Sequence, residues 1–120
     1  MRPALLALAL LLGASAAANG AERRCGWLWN PTPANWWLTD RDGQWILSEQ
    51  GGYKAPGMDA MPDMAGAGWV STNVGSYGYG CACLEVVVDR KARRIARLLS
   101  AETLPLSRCR SDRALPPEPR

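Results

Sequence analysis

The chain has 120 residues, with six tryptophans, four cysteines and no histidine, and its 14 basic against 11 acidic side chains give a net charge of +3. Without an imidazole, the usual general base, the Ser-His-Asp and Cys-His arrangements and most zinc and haem sites are excluded. So small a net charge argues against a nucleic-acid partner, and the apolar run Ala4–Leu12 falls short of the roughly 20 residues that span a membrane.

At the start of the chain, Arg2, that apolar run and the small residues of Gly13–Ala21 read as a secretion signal over residues 1–21, cleaved after Ala18 or Ala21. The implied address, periplasmic or secreted, is oxidising, so Cys25, Cys81, Cys83 and Cys109 are expected to close two disulfides. What remains is one domain over residues 22–110, small enough to bury only about two-thirds of its unfolded surface. Sulfur crosslinks offset that deficit. Of the three formal pairings, Cys81–Cys83 is disfavoured, because alternate strand residues point the same way and the ring would be strained. Each of these two cysteines is expected to reach outward, one to Cys25 and one to Cys109.

Trp36–Thr39 and Trp45–Ser48 read as strands of a hairpin around the turn signal Asp40-Arg41-Asp42-Gly43. Lys54–Gly68, rich in glycine, proline and alanine, reads as a flexible loop. A second hairpin joins Trp69–Val74 to Tyr77–Asp89, with Gly75 first in a two-residue turn as the type II′ geometry requires. In the long strand, Ala82, Leu84, Val86 and Val88 share the face expected to be core, and Cys81, Cys83, Glu85, Val87 and Asp89 share the other. After Asp89 a turn feeds a third antiparallel strand, Arg94–Glu102, although Ala92, Ile95, Ala96 and Leu99 also recur at helical spacing. Pro105 ends either element, and residues 111–120 are too polar and proline-rich to pack, hence a disordered tail. The fold class is therefore mainly β: a small antiparallel sheet of hairpins stapled by two disulfides, with room for one short helix near the C-terminus.

Cys25-Gly26-Trp27, Asn30-Pro31-Thr32-Pro33, Asn35-Trp36-Trp37-Leu38 and Asp40-Arg41-Asp42-Gly43-Gln44-Trp45 resemble a family of small secreted bacterial proteins, domain of unknown function 4087. The likeness continues through Glu49-Gln50-Gly51-Gly52-Tyr53, Tyr77-Gly78-Tyr79-Gly80-Cys81-Ala82-Cys83-Leu84 and Leu104-Pro105-Leu106-Ser107, ending at Cys109-Arg110. It covers nearly all of the chain after the signal except the central loop and the tail. The resemblance implies a secreted single domain and transfers no catalytic residue.

Candidate chemistry is sparse. Asp40 and Asp42 sit in a turn, where carboxylates ordinarily bond the backbone, and Glu49 and Glu85 have no identified partner for glycosidase chemistry. The Cys81-Ala82-Cys83 pair lacks the helix N-terminus or adjacent cation of a redox couple. Met58, Met61 and Met64 form an evenly spaced trio that offers soft sulfur to Cu(I), with gap-filling against the core the favoured alternative. Arg90, Lys91, Arg93, Arg94 and Arg97 offer an anionic ligand a basic cluster, and a solvated turn explains them more simply.

The aromatics are the stronger lead. Trp27, Trp29, Trp36, Trp37 and Trp45 crowd together, with Tyr53, Tyr77 and Tyr79 to extend them. Trp36 and Trp37 must point to opposite sides of one strand, so a sheet with a single packed face leaves at least one indole near solvent. These residues point to a non-enzymatic, cofactor-free module that binds an envelope glycan or a periplasmic protein. The alternative from another class is a proteinaceous inhibitor of a lytic enzyme or protease.

Overall fold

The computed structural model describes residues 20–66 and 68–120, so residues 1–19 of the expected signal lie outside the described residues. Six strands follow in order: β1 (Glu22–Asn30), β2 (Trp36–Asp40), β3 (Gly43–Ser48), β4 (Val70–Ser71), β5 (Gly78–Asp89) and β6 (Arg94–Leu104). A five-residue helix, α1 (Leu106–Arg110), comes after them. The sheet runs β1-β2-β3-β6-β5-β4, and β1 also pairs with β5, so five of the strands close into a ring with β4 appended to β5.

Both expected hairpins form, each with a shift. Asp40 pairs with Gly43, which tightens the first turn to Arg41-Asp42. In the second, only Val70 and Ser71 pair with Tyr79 and Gly78. Gly75 adopts a φ of 64°, as the first position of a type II′ turn demands. Residues 90–93 turn the chain, Ala92 N–H bonding Asp89 Oδ1 at 3.1 Å, and β6 returns antiparallel to β5, so the strand reading of this segment holds and the helical one does not.

One junction departs from an all-antiparallel sheet. β3 meets β6 in parallel at Ile46 and Arg94, where Ile46 N–H bonds Arg93 O at 3.0 Å. The reason is parity: strand directions cannot alternate all the way around a ring of five, so one pair must run the same way.

The ring encloses the main core. Leu28, Leu38, Trp45, Leu47, Ala82, Leu84, Val86, Ile95 and Leu98 fill its interior, and alternation along β5 sends Ala82, Leu84 and Val86 inward as expected. Loop residues Ala55, Met58 and Met64 cover one end of this core together with Trp36, Tyr53 and Trp69. That loop is bound to the barrel wall by backbone bonds, Ala55 N–H to Leu47 O and Leu98 N–H to Pro56 O, both 2.9 Å. It includes a 3₁₀ turn, Met58–Ala60.

A second, smaller core lies outside the ring. Trp27, Tyr79, Cys81 and Cys109 form it, with Trp29, Val70, Leu104, Leu106 and Leu115 packed around them. Two disulfides frame this side. Cys25–Cys83 joins directly opposed residues of β1 and β5, and Cys81–Cys109 ties β5 to α1. Each cysteine of the Cys81-Ala82-Cys83 pair thus reaches outward, as expected. Pro105 ends β6 and immediately precedes α1, which turns Cys109 inward.

Residues 111–120 do not follow the expectation of an unpacked tail. Leu115 joins the outer core, Trp27 Nε1–H bonds Pro116 O at 3.0 Å, and Glu118 pairs with Arg110. Composition misled here because the tail's apolar partner is the outer wall of the barrel, not its own sequence neighbourhood.

Candidate binding surface on the barrel wall

The eight aromatics singled out from sequence do not share one surface. Trp45 is 1 % exposed and lies inside the ring, its Nε1–H bonding Asp40 Oδ1 at 3.1 Å. The guanidinium groups of Arg24 and Arg93 lie 4.4 and 4.1 Å from its ring centre, within cation–π range. Trp36 packs on the same core, with Trp69 as its neighbour at 6.3 Å. Tyr53 does likewise, donating its hydroxyl to Ile95 O at 2.8 Å under the guanidinium of Arg94. Tyr77 is half-buried beside the second turn.

Trp27, Trp29, Trp37 and Tyr79 point outward instead. Cross-strand register sets Trp37 opposite Trp29, Trp29 opposite Tyr79 and Tyr79 opposite Val70, and Ile46 lies opposite Trp37. Directly opposed residues share a face, so Ile46, Trp37, Trp29, Tyr79 and Val70 form a row across five adjacent strands spaced about 4.8 Å apart. The tail and α1 cover the Tyr79 end, where Trp27 is 2 % exposed. At the other end Trp29 and Trp37 are only half-buried.

Hydrogen bonding separates the six tryptophans into two groups. Trp27, Trp45 and Trp69 donate their indole N–H to Pro116, Asp40 and Ser76. Among the described residues, Trp29, Trp36 and Trp37 have no protein acceptor, and no buried side-chain nitrogen or oxygen is left unpaired. Their N–H edges therefore reach water. Sequence marks Trp69 only as the start of a strand, and its indole role follows from the Gly75 turn that brings Ser76 within 2.8 Å.

The charged groups are occupied elsewhere. An open depression of about 340 Å³ lies between β1, the Arg41-Asp42 turn and the tail, lined by Glu22, Arg24, Asp40 and Asp42 among others. Arg24 bonds Glu22, Asp40 and Asp42 at 2.8 Å each. Burial penalises the Arg24 charge, yet the bonds to Asp42 and Asp40 outweigh it and hold the group above its ordinary value. The bond to Arg24 in turn holds the Asp42 carboxyl below its usual range. Glu85 pairs with Arg23 at 3.4 Å.

Of the basic cluster, Arg90 pairs with Glu22, Arg93 caps the Asp42 carbonyl, and Arg94 covers Tyr53. Met58 and Met64 are buried, and Met61 packs against the same core. Burial pushes the Tyr79 phenol up, and its bond to Glu118 adds to the effect.

No helix among the described residues is long and apolar enough to cross a membrane, and two closed disulfides are compatible with an extracellular address. No curated protein and no solved structure matches the chain. The family described as "Protein of unknown function (DUF4087)" matches residues 19–116, a span that contains the whole barrel, both disulfides and the row Ile46–Trp37–Trp29–Tyr79–Val70, and the chain belongs to that family.

Proposed function

We propose that this protein is an exported, non-enzymatic module that holds an envelope glycan against Trp29 and Trp37 on the outside of the barrel. The observation that carries the reading is the pair itself: two half-buried indoles directly opposed on adjacent strands, with N–H edges that face water. A flat apolar ring with a donor edge suits a sugar ring, whose faces are apolar and whose rim carries hydroxyl groups. A closed, crosslinked barrel presents the pair at little ordering cost, and this preorganisation favours affinity. Export behind a signal cleaved after Ala18 or Ala21 fits the oxidised state of all four cysteines.

Pelleting with insoluble peptidoglycan tests the reading. The full mature chain co-sediments, and Trp37→Ala or Trp29→Ala releases it while both disulfides and the melting transition are kept. Equal sedimentation of the wild type and both variants overturns it. Suppression of lysozyme or a protease at stoichiometric dose, without pelleting, favours the inhibitor reading.

A further inference from the structure

We propose that Trp27, Tyr79 and Arg110 form a receptor for a proline-rich acidic peptide of another exported protein, and that the chain's own tail occupies this receptor in cis. This goes beyond the glycan reading and uses the part of the outer face around Tyr79 that α1 and the tail cover. The occupying segment is Leu115-Pro116-Pro117-Glu118-Pro119. It presents three kinds of group to the barrel. The Leu115 side chain enters the outer core beside Trp27 and Cys109. The Pro116 carbonyl accepts the Trp27 indole N–H at 3.0 Å. The Glu118 carboxylate takes both forks of Arg110, Nε at 2.7 Å and Nη2 at 2.9 Å, and accepts the Tyr79 hydroxyl.

This is the chemistry of proline-peptide recognition. Proline has no N–H and a fixed φ, so a Pro-Pro segment is stiff, loses little entropy on docking and offers its carbonyls as acceptors. Aromatic-lined grooves with an indole donor exploit that combination. A bidentate guanidinium–carboxylate pair adds direction at one end.

The mode of attachment is that of a ligand rather than of a strand. Among the described residues, no backbone-to-backbone hydrogen bond joins residues 116–120 to the barrel, whereas the central loop is bound to β3 and β6 by such bonds. Release of the tail therefore breaks side-chain contacts and no ladder. The motif spans only residues 115–118, so a foreign segment with an apolar anchor, a prolyl carbonyl and a carboxylate at the same spacing presents the same groups. A short tether gives the cis tail an effective concentration on the order of millimolar. A foreign peptide is thus excluded until it binds more tightly or the cis contacts weaken.

The test uses the full mature chain carrying Glu118→Ala and, as probe, the N-acetylated peptide of residues 115–119, followed by calorimetry and indole fluorescence. Glu118→Ala binds the probe, and the wild type binds it at least roughly tenfold more weakly because its own tail competes. Adding Arg110→Ala, or Tyr79→Phe, to the Glu118→Ala chain weakens the probe again, whereas adding Trp37→Ala does not. Three results overturn the proposal: no probe binding at millimolar concentration by a Glu118→Ala chain with both disulfides closed, binding indifferent to Arg110→Ala, or a tail-exchanged dimer that the probe fails to dissociate. Because Trp37 is outside this receptor, loss of peptidoglycan pelleting and loss of probe binding are separate failures.

Discussion

The inner and outer faces of the barrel wall each bury a tryptophan, and they do so by different means. Inside, Trp45 is enclosed by strands that alternate correctly and by a loop bonded to the backbone of β3 and β6. Outside, Trp27 is covered by a five-residue helix, a disulfide and a tail held through side chains. The inner core is built from the strands of the ring, whereas the outer core rests on elements packed against that ring and is expected to loosen first. Such low-stability regions are where binding and switching elements are drawn from.

The largest expected effect is on the ring. Replacing Cys25 and Cys83 with serine removes a link across 58 residues and is expected to lower stability by about 4 kcal/mol, read from urea melts of both forms. Replacing Cys81 and Cys109 removes a link across 28 residues, at about 3.5 kcal/mol. In that variant amide exchange should rise over residues 106–118 while β1 to β6 keep their protection. Uniform loss of protection would erase the distinction between the two cores.

Smaller changes sharpen the same contrast. Leu84→Ala, inside the ring, should cost about 3 kcal/mol, within the range for buried leucines. Leu115→Ala, half-buried on the outer face, should cost about 1 kcal/mol, since only part of the side chain leaves water. Equal costs would mean that the tail is as integral as β5.

The smallest effect is set by pH. The bonds from Arg110 and then Tyr79 hold the Glu118 carboxyl down to about 2, against an ordinary 4.5. A depressed carboxylate stabilises its docked state fully above its ordinary pKa and loses that contribution as pH falls toward the depressed value. Tail docking should therefore weaken between about pH 4.5 and 2, visible in the Trp27 indole proton resonance, and Glu118→Gln should flatten the transition. A resonance unmoved over that interval in a folded protein would place the anchor elsewhere.

Much of the wall was legible in sequence because it depends on local rules. Alternation alone sorted β5 into its core and cysteine faces, and Gly75 announced its turn. β1 escaped a clear assignment because Arg23, Arg24 and Gly26 interrupt its apolar pattern. The structure explains that glycine: a Cβ there would stand 2.2 Å from the Thr39 carbonyl oxygen. The parallel β3–β6 junction follows from the number of strands in the ring, which no single segment encodes. The tail was misread for a related reason, since Trp27 and Pro116 meet across 89 positions of sequence. Trp27 is likewise withdrawn from water by α1 and the tail, and Trp69 is paired through the Gly75 turn, so sequence marks the tryptophans and leaves their division to the fold.

Closing the wall on itself also bears on how the molecule behaves in a crowd. Unpaired strand flanks are what neighbouring chains copy when they assemble into fibrils. Here the appended strand is two residues long, and the part of β1 beyond its pairing with β2 bears Glu22, Arg23 and Arg24. Short flanks and charged ones both deter templated growth, so neither of these two flanks offers a neighbouring chain a long apolar template.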